Sequence, residues 1–223
     1  KEESCKFFLK LFFLTMKRLN LGDNYKTFIM KKTLLTLSLF ASFFSFSQVL
    51  QSENFDALTL GDVGTDVTGV TAGQGGYYTA NGTNASYQIV SETTGKSLQI
   101  TGSNTATGSR FMWKDGLVSA WAGRTSGNEV INIEFDLFTG GATTSKNRQN
   151  LYLYNAAGDR VLVGLSFVAE TKTLLGVCYL DNAGTFGNYS LNLGASPIVL
   201  SGNQWVRIGM SFNKTTGEVF WKG

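Results

Sequence analysis

The sequence predicts an all-β fold, an antiparallel β-sandwich preceded by a helical signal peptide, and three observations carry that prediction. Apolar runs are short, rich in Val, Ile, Phe and Tyr, and separated by Gly, Ser, Thr and Asn. Several runs alternate between apolar and polar residues, the period of a half-buried strand. The one long uncharged apolar run lies near the N-terminus, directly behind a cationic segment.

Met30, Lys31 and Lys32 are followed by 15 uncharged residues, Thr33 to Ser47, with the small residues Ser45 and Ser47 just before Gln48. This is the layout of a secretory signal peptide with cleavage before Gln48. The run is shorter than the roughly 20 residues of a spanning helix, so no stable membrane span is expected after cleavage. Residues 1–29 precede a complete signal and read as upstream or mis-started sequence that packs against nothing; a membrane extension is the competing reading. Residues 33–47 are expected to be helical and to stand away from the folded part, residues 48–223.

The charge balance follows the same boundary. The chain carries +3 overall, but residues 1–47 hold +5 and the remaining 176 residues hold −2. The folded part therefore lacks the basic footprint of a nucleic-acid binder. There is no histidine, which removes Ser-His-Asp and Cys-His catalysis and imidazole metal ligands. Of the two cysteines, Cys5 precedes the signal. Cys178 has no partner for a disulfide within the exported part and reads as a small buried hydrophobe.

Within residues 48–223 the clearest strand is Asn128 to Phe138, with Ile131, Ile133, Phe135 and Leu137 on one side and Asn132, Glu134 and Asp136 on the other. Arg160 to Val168 alternates through Val161, Val163, Leu165 and Phe167. Gln204 to Phe212 directs Val206, Ile208, Met210 and Phe212 inward. Hairpins are expected at Asn155–Asp159, Ala169–Lys172 and Asn213–Gly217, the last leading into a strand at Glu218–Trp221. Residues 55–85, Gly-, Thr- and Asn-rich, are expected as long irregular loops or edge strands. About 170 residues suffice for one substantial core, so one sandwich is expected rather than two domains. An edge strand is expected beyond Gly223, where the chain leaves a hairpin.

Two groups of motifs carry a resemblance. The signal end Ser45-Phe46-Ser47-Gln48, the segment Ser52–Gly61, and the glycine runs Gly64–Gly69 and Gly73–Gly76 resemble the start of secreted proteins of flavobacteria and their relatives, many of which end in a sorting domain read by the type IX secretion system. Gln204–Gly217 resembles the Trp-strand-hairpin of concanavalin A-like (laminin G-like) jelly rolls. The resemblance implies export to the cell surface or medium, the secretion machinery as a partner, and a jelly-roll sandwich.

The chemistry legible in the sequence is sparse. Some concanavalin A-like glycoside hydrolases carry Glu-x-Asp-x-x-Glu on one strand; Glu134 and Asp136 match, but Thr139 and Gly140 stand where the last carboxylate belongs. A retaining pair needs two carboxyls about 5 Å apart, so Glu134 and Asp136 remain weak catalytic candidates and otherwise read as solvent-facing positions. Gly95-Lys96-Ser97 lacks the earlier glycine of a phosphate loop, and Gly73-Gln74-Gly75 lacks the last dinucleotide glycine. Asp181–Gly184 lacks the carboxylates of a calcium loop; calcium on backbone carbonyls, which some members of the resembled family use, is compatible with the sequence. No other cofactor and no metal cluster is indicated. The remaining signal is aromatic. Tyr152, Tyr154, Trp113 and Trp121 are the candidate ligand-binding residues, since sugar rings stack on exposed aromatic faces. Trp205 reads instead as core. The expected function is a secreted, non-catalytic module binding carbohydrate or a cell-surface ligand; the competing reading is a polysaccharide hydrolase or lyase using Glu134 and Asp136.

Overall fold

The computed structural model describes residues 48–105 and 108–222. The expected signal peptide, the segment before it and Cys5 lie outside the described residues. The described part is all-β, with antiparallel pairing throughout its named strands. Among the described residues no helix is long and apolar enough to cross a membrane.

The first half holds short strands: β1 (Gly61–Asp62), β2 (Tyr77–Ala80), β3 (Tyr87–Ser91), β4 (Lys96–Ile100) and β5 (Phe111–Lys114). They form a sheet ordered β1-β3-β4 and a ribbon β2-β5. As expected, the Gly- and Thr-rich stretch gives only two short strands between long turns. The first half nevertheless buries Val63, Tyr77, Tyr87 and Ile89, which cluster with Phe55, Leu58, Val67, Leu98 and Met112. Glycines make this possible: a Cβ at Gly73 would lie 2.2 Å from the Val63 carbonyl oxygen and 2.7 Å from the Gly64 Cα.

Asp66 organises the neighbouring loop. Its carboxylate accepts hydrogen bonds from the Thr68 hydroxyl and N–H and from the N–H groups of Val70 and Thr71. These bonds, the Thr68 hydroxyl first, hold its pKa down to about 2 from the ordinary 3.8. A depressed folded pKa contributes stability that is present above the unfolded value and lost as pH falls through the folded one. The expected result is an acid limb between roughly pH 4 and 2 that flattens in Asp66→Asn, read as melting temperature against pH in both proteins.

The second half opens with α1 (Leu117–Ala122), followed by β6 (Val130–Phe138), β7 (Arg148–Tyr154), β8 (Val161–Val168), β9 (Thr173–Asn182), β10 (Thr185–Asn192), β11 (Ile198–Val199), β12 (Trp205–Asn213) and β13 (Val219–Lys222). These make two sheets, β13-β12-β6 and β10-β9-β8-β7, with β11 beside β9. The three expected hairpins are present as the β7–β8, β8–β9 and β12–β13 connections. One hydrophobic cluster draws on both sheets: Leu153, Val163, Leu165, Phe167 and Leu174 from one, Ile208 and Met210 from the other, with Ile131, Ile133, Phe135 and Leu137 packed against them. The alternation read from β6 and β12 therefore holds. Trp221 ties the layers, its indole N–H donating to the Gly164 carbonyl at 2.7 Å. Lys172 does the same at the sheet ends, donating to the carbonyls of Thr139 and Gly141.

β8 departs from simple alternation at one end. Leu153 pairs with Val163 but Tyr154 pairs with Val161, so Leu162 is an unpaired bulge residue. Leu162 thereby packs on the core cluster, while Val161, expected there, is buried outside it.

Candidate functional site: an aromatic trough on the larger sheet

Leu151 and Leu153 alternate with Tyr152 and Tyr154 along β7. Leu153 enters the core cluster, so the tyrosines stand on the opposite, outward face. Tyr152 lies over Gly164 of β8, its cross-strand partner; a Cβ there would be 2.4 Å from the tyrosine ring. Gly164 in turn faces Val177 of β9, and Tyr179, two residues on, therefore shares the face.

Two aromatic pairs result. Tyr152 and Tyr154 meet edge to face at 6.0 Å between ring centroids. Tyr179 and Phe186 stack at 6.1 Å with their planes 20° apart. β7 and β9 are separated by β8, so the pairs stand about 10 Å apart across it at ordinary strand spacing. Between them lie Val161, 2% exposed, and Gly164, which the Tyr152 ring covers. Arg160 holds its guanidinium 5.0 Å from the centroid of the Tyr179 ring. Asn188 accepts the Val161 N–H through its side-chain oxygen at 3.0 Å. Burial, with a smaller contribution from Tyr154, raises the Tyr152 pKa against the opposing pull of Arg148, so the Tyr152 hydroxyl serves as a neutral donor and acceptor near pH 7.

The other sequence candidates lie elsewhere. Trp113 on β5 stacks on Tyr78 of β2 at 5.6 Å and 13°, with Gly69 against its outer edge. Trp121 on α1 has one ring face beneath the Arg124 guanidinium, 3.9 Å from its centroid. That cation is itself anchored to Glu129 at 2.6 Å. Of the four candidate ligand residues, then, ring contact joins Tyr152 and Tyr154.

Glu134 and Asp136 project to solvent from β6 of the smaller sheet, more than half exposed. Arg207 of β12 reaches both, donating to Asp136 Oδ2 at 3.2 Å and Glu134 Oε2 at 3.1 Å. At the third position of the carboxylate motif Thr139 is buried, its hydroxyl donating to the Gln204 carbonyl at 3.1 Å. Cys178 is free and buried, and burial raises its thiol pKa. Among the described residues no group of three or more Cys, Asp or Glu side chains converges as a metal site.

Comparison with known protein families, curated proteins and solved structures returns no match.

Sequence reasoning missed Tyr179 and Phe186 as members of the trough. The turn Asp181–Gly184 marks the hairpin that brings them together, and Gly184 there takes a positive φ of 87°. Trp205 is a correction: expected in the core, it is 47% exposed. Its neighbours Val206 and Ile208 point inward, so strand alternation sends Trp205 out.

Proposed function

We propose that residues 48–223 form a secreted β-sandwich of the concanavalin A-like jelly-roll kind, exported through the signal at 30–47, that binds carbohydrate or another cell-surface ligand without catalysis. The shared core cluster of the two sheets supports the sandwich. The observation that carries the binding reading is the pair of aromatic contacts, Tyr152–Tyr154 and Tyr179–Phe186, on one face of the larger sheet with Arg160 at its side. Aromatic rings at fixed spacing offer stacking faces, and the tyrosine hydroxyls and guanidinium offer hydrogen bonds to ligand hydroxyls.

The non-catalytic half of the proposal is supported by Arg207. A retaining pair needs a nucleophile and a proton donor about 5 Å apart on either side of the scissile bond. Glu134 and Asp136 instead share one cation in solvent.

The expected result on a glycan array is binding above background that falls by about 10- to 100-fold in Tyr152→Ala/Tyr154→Ala, the range for removing central aromatic anchors. An unchanged array profile in the double variant would remove the trough from the proposal. Release of reducing sugar by the wild type but not by Glu134→Gln would replace it with the enzymatic reading.

A further inference from the structure

The smaller sheet carries a separate aromatic surface. Phe138 of β6 and Trp205 of β12 are cross-strand partners. Their rings stand 5.4 Å apart at 47°, and both side chains are close to half exposed. The next pair on the same face, about 7 Å along the strands, is Asp136 with Arg207, followed by Glu134 opposite Gly209, with Lys222 on the far side of Gly209. Val206, Ile208 and Met210 face the shared core, so this surface points away from the trough of the larger sheet.

Its charges define what it can hold. Two carboxylates and two cations balance, and Arg207 directs both terminal nitrogens onto protein oxygens. Among the described residues, Asp136 Oδ1 and Glu134 Oε1 accept no hydrogen bond, so these oxygens seek donors. An anionic ligand would meet carboxylates with the nearest guanidinium already engaged. A neutral ligand with hydroxyl groups and a ring face meets acceptors and a platform.

We propose that this face is a second saccharide site selecting neutral polysaccharide, with Phe138 and Trp205 as the stacking platform and Asp136 and Glu134, positioned by Arg207, as hydroxyl acceptors. The site does not depend on the trough. It also gives the carboxylates a role in selectivity: removing their charge leaves Arg207 and Lys222 uncompensated, and the face becomes cationic.

The test is native affinity electrophoresis of the full chain in gels containing neutral β-glucan, xylan or dextran, and in gels containing dextran sulfate. The wild type should be retarded by at least one neutral polymer and not by dextran sulfate. Trp205→Ala and Phe138→Ala should each weaken that retardation about tenfold or more, with unchanged circular dichroism because both side chains are exposed. Glu134→Gln/Asp136→Asn should weaken neutral retardation, since the amides keep only one acceptor oxygen each, and gain retardation by dextran sulfate. Retardation within about twofold of wild type in both aromatic variants, retardation by dextran sulfate alone, or none by any neutral polymer would each overturn the proposal. Tyr152→Ala/Tyr154→Ala separates the two sites: if it abolishes binding while Trp205→Ala does not, the second site fails and the trough stands.

Discussion

Phe167→Ala is expected to cost about 3–5 kcal/mol, the usual range for a buried phenylalanine. The side chain is 2% exposed at the centre of the cluster that joins the two sheets. A void there is lined by strands held in ladders on both sides of β8, which limits collapse into it. At about 2–4 °C per kcal/mol for a chain of this size, the melting temperature should fall by roughly 6–20 °C. Phe220→Ala, a control at 63% exposure, should stay within about 0.5 kcal/mol of wild type. Equal losses in the two variants would mean that the cluster does not hold the sheets together.

Gly73→Ala should be comparably damaging for a different reason. The added methyl would sit 2.2 Å from a backbone oxygen and 2.7 Å from a backbone carbon, neither of which can swing aside as a side chain can. Overpacking costs about 1–3 kcal/mol where neighbours can repack, so about 3 kcal/mol or more is expected here. Moving Val63 also breaks the bond its carbonyl accepts from the Gln74 N–H. Gly194→Ala, where the Cβ would meet only one carbonyl oxygen at an ordinary 3.5 Å, is the matched control and should be nearly silent in thermal melts.

What the sequence conveyed depended on whether a strand has one wet face. β6 and β12 do, and their alternation located both strands and their inward residues. β10 does not: Phe186 stacks outward on Tyr179, while Tyr189 and Leu191, on the other parity, are half-buried. With apolar residues on both faces the pattern loses its period, and the sequence does not predict the strand. Alternation alone sends Val161 to the wrong face because a one-residue bulge reverses the parity of everything beyond it, and nothing local in Arg160–Val163 announces one. Trp205 was legible after all, since the parity that buries Val206 and Ile208 exposes it; the general preference of tryptophan for interiors was the weaker guide. The first-half cluster was invisible because Val63, Tyr77, Tyr87 and Ile89 are brought together by turns rather than by any repeat.

At the site, Tyr152 and Tyr154 could be found because they alternate with leucines. Arg207 and Phe186 could not. Arg207 reaches carboxylates 71 and 73 positions away, and Phe186 depends on a hairpin register. Such contacts are properties of strand order, which periodicity does not encode.

The two hydrophobic clusters, one around Tyr87 and one around Phe167, share no residue. Cooperativity in a folded chain travels through shared buried contacts, and where these are few the parts can open separately. Strands β1–β5 and strands β6–β13 are therefore expected to behave as two foldons with their own tiers of amide-exchange protection. The first, built on short strands and close glycine contacts, should open more readily. Its loss would leave the sheets that carry both aromatic faces paired and protected, so the proposed binding surfaces belong to the sturdier foldon.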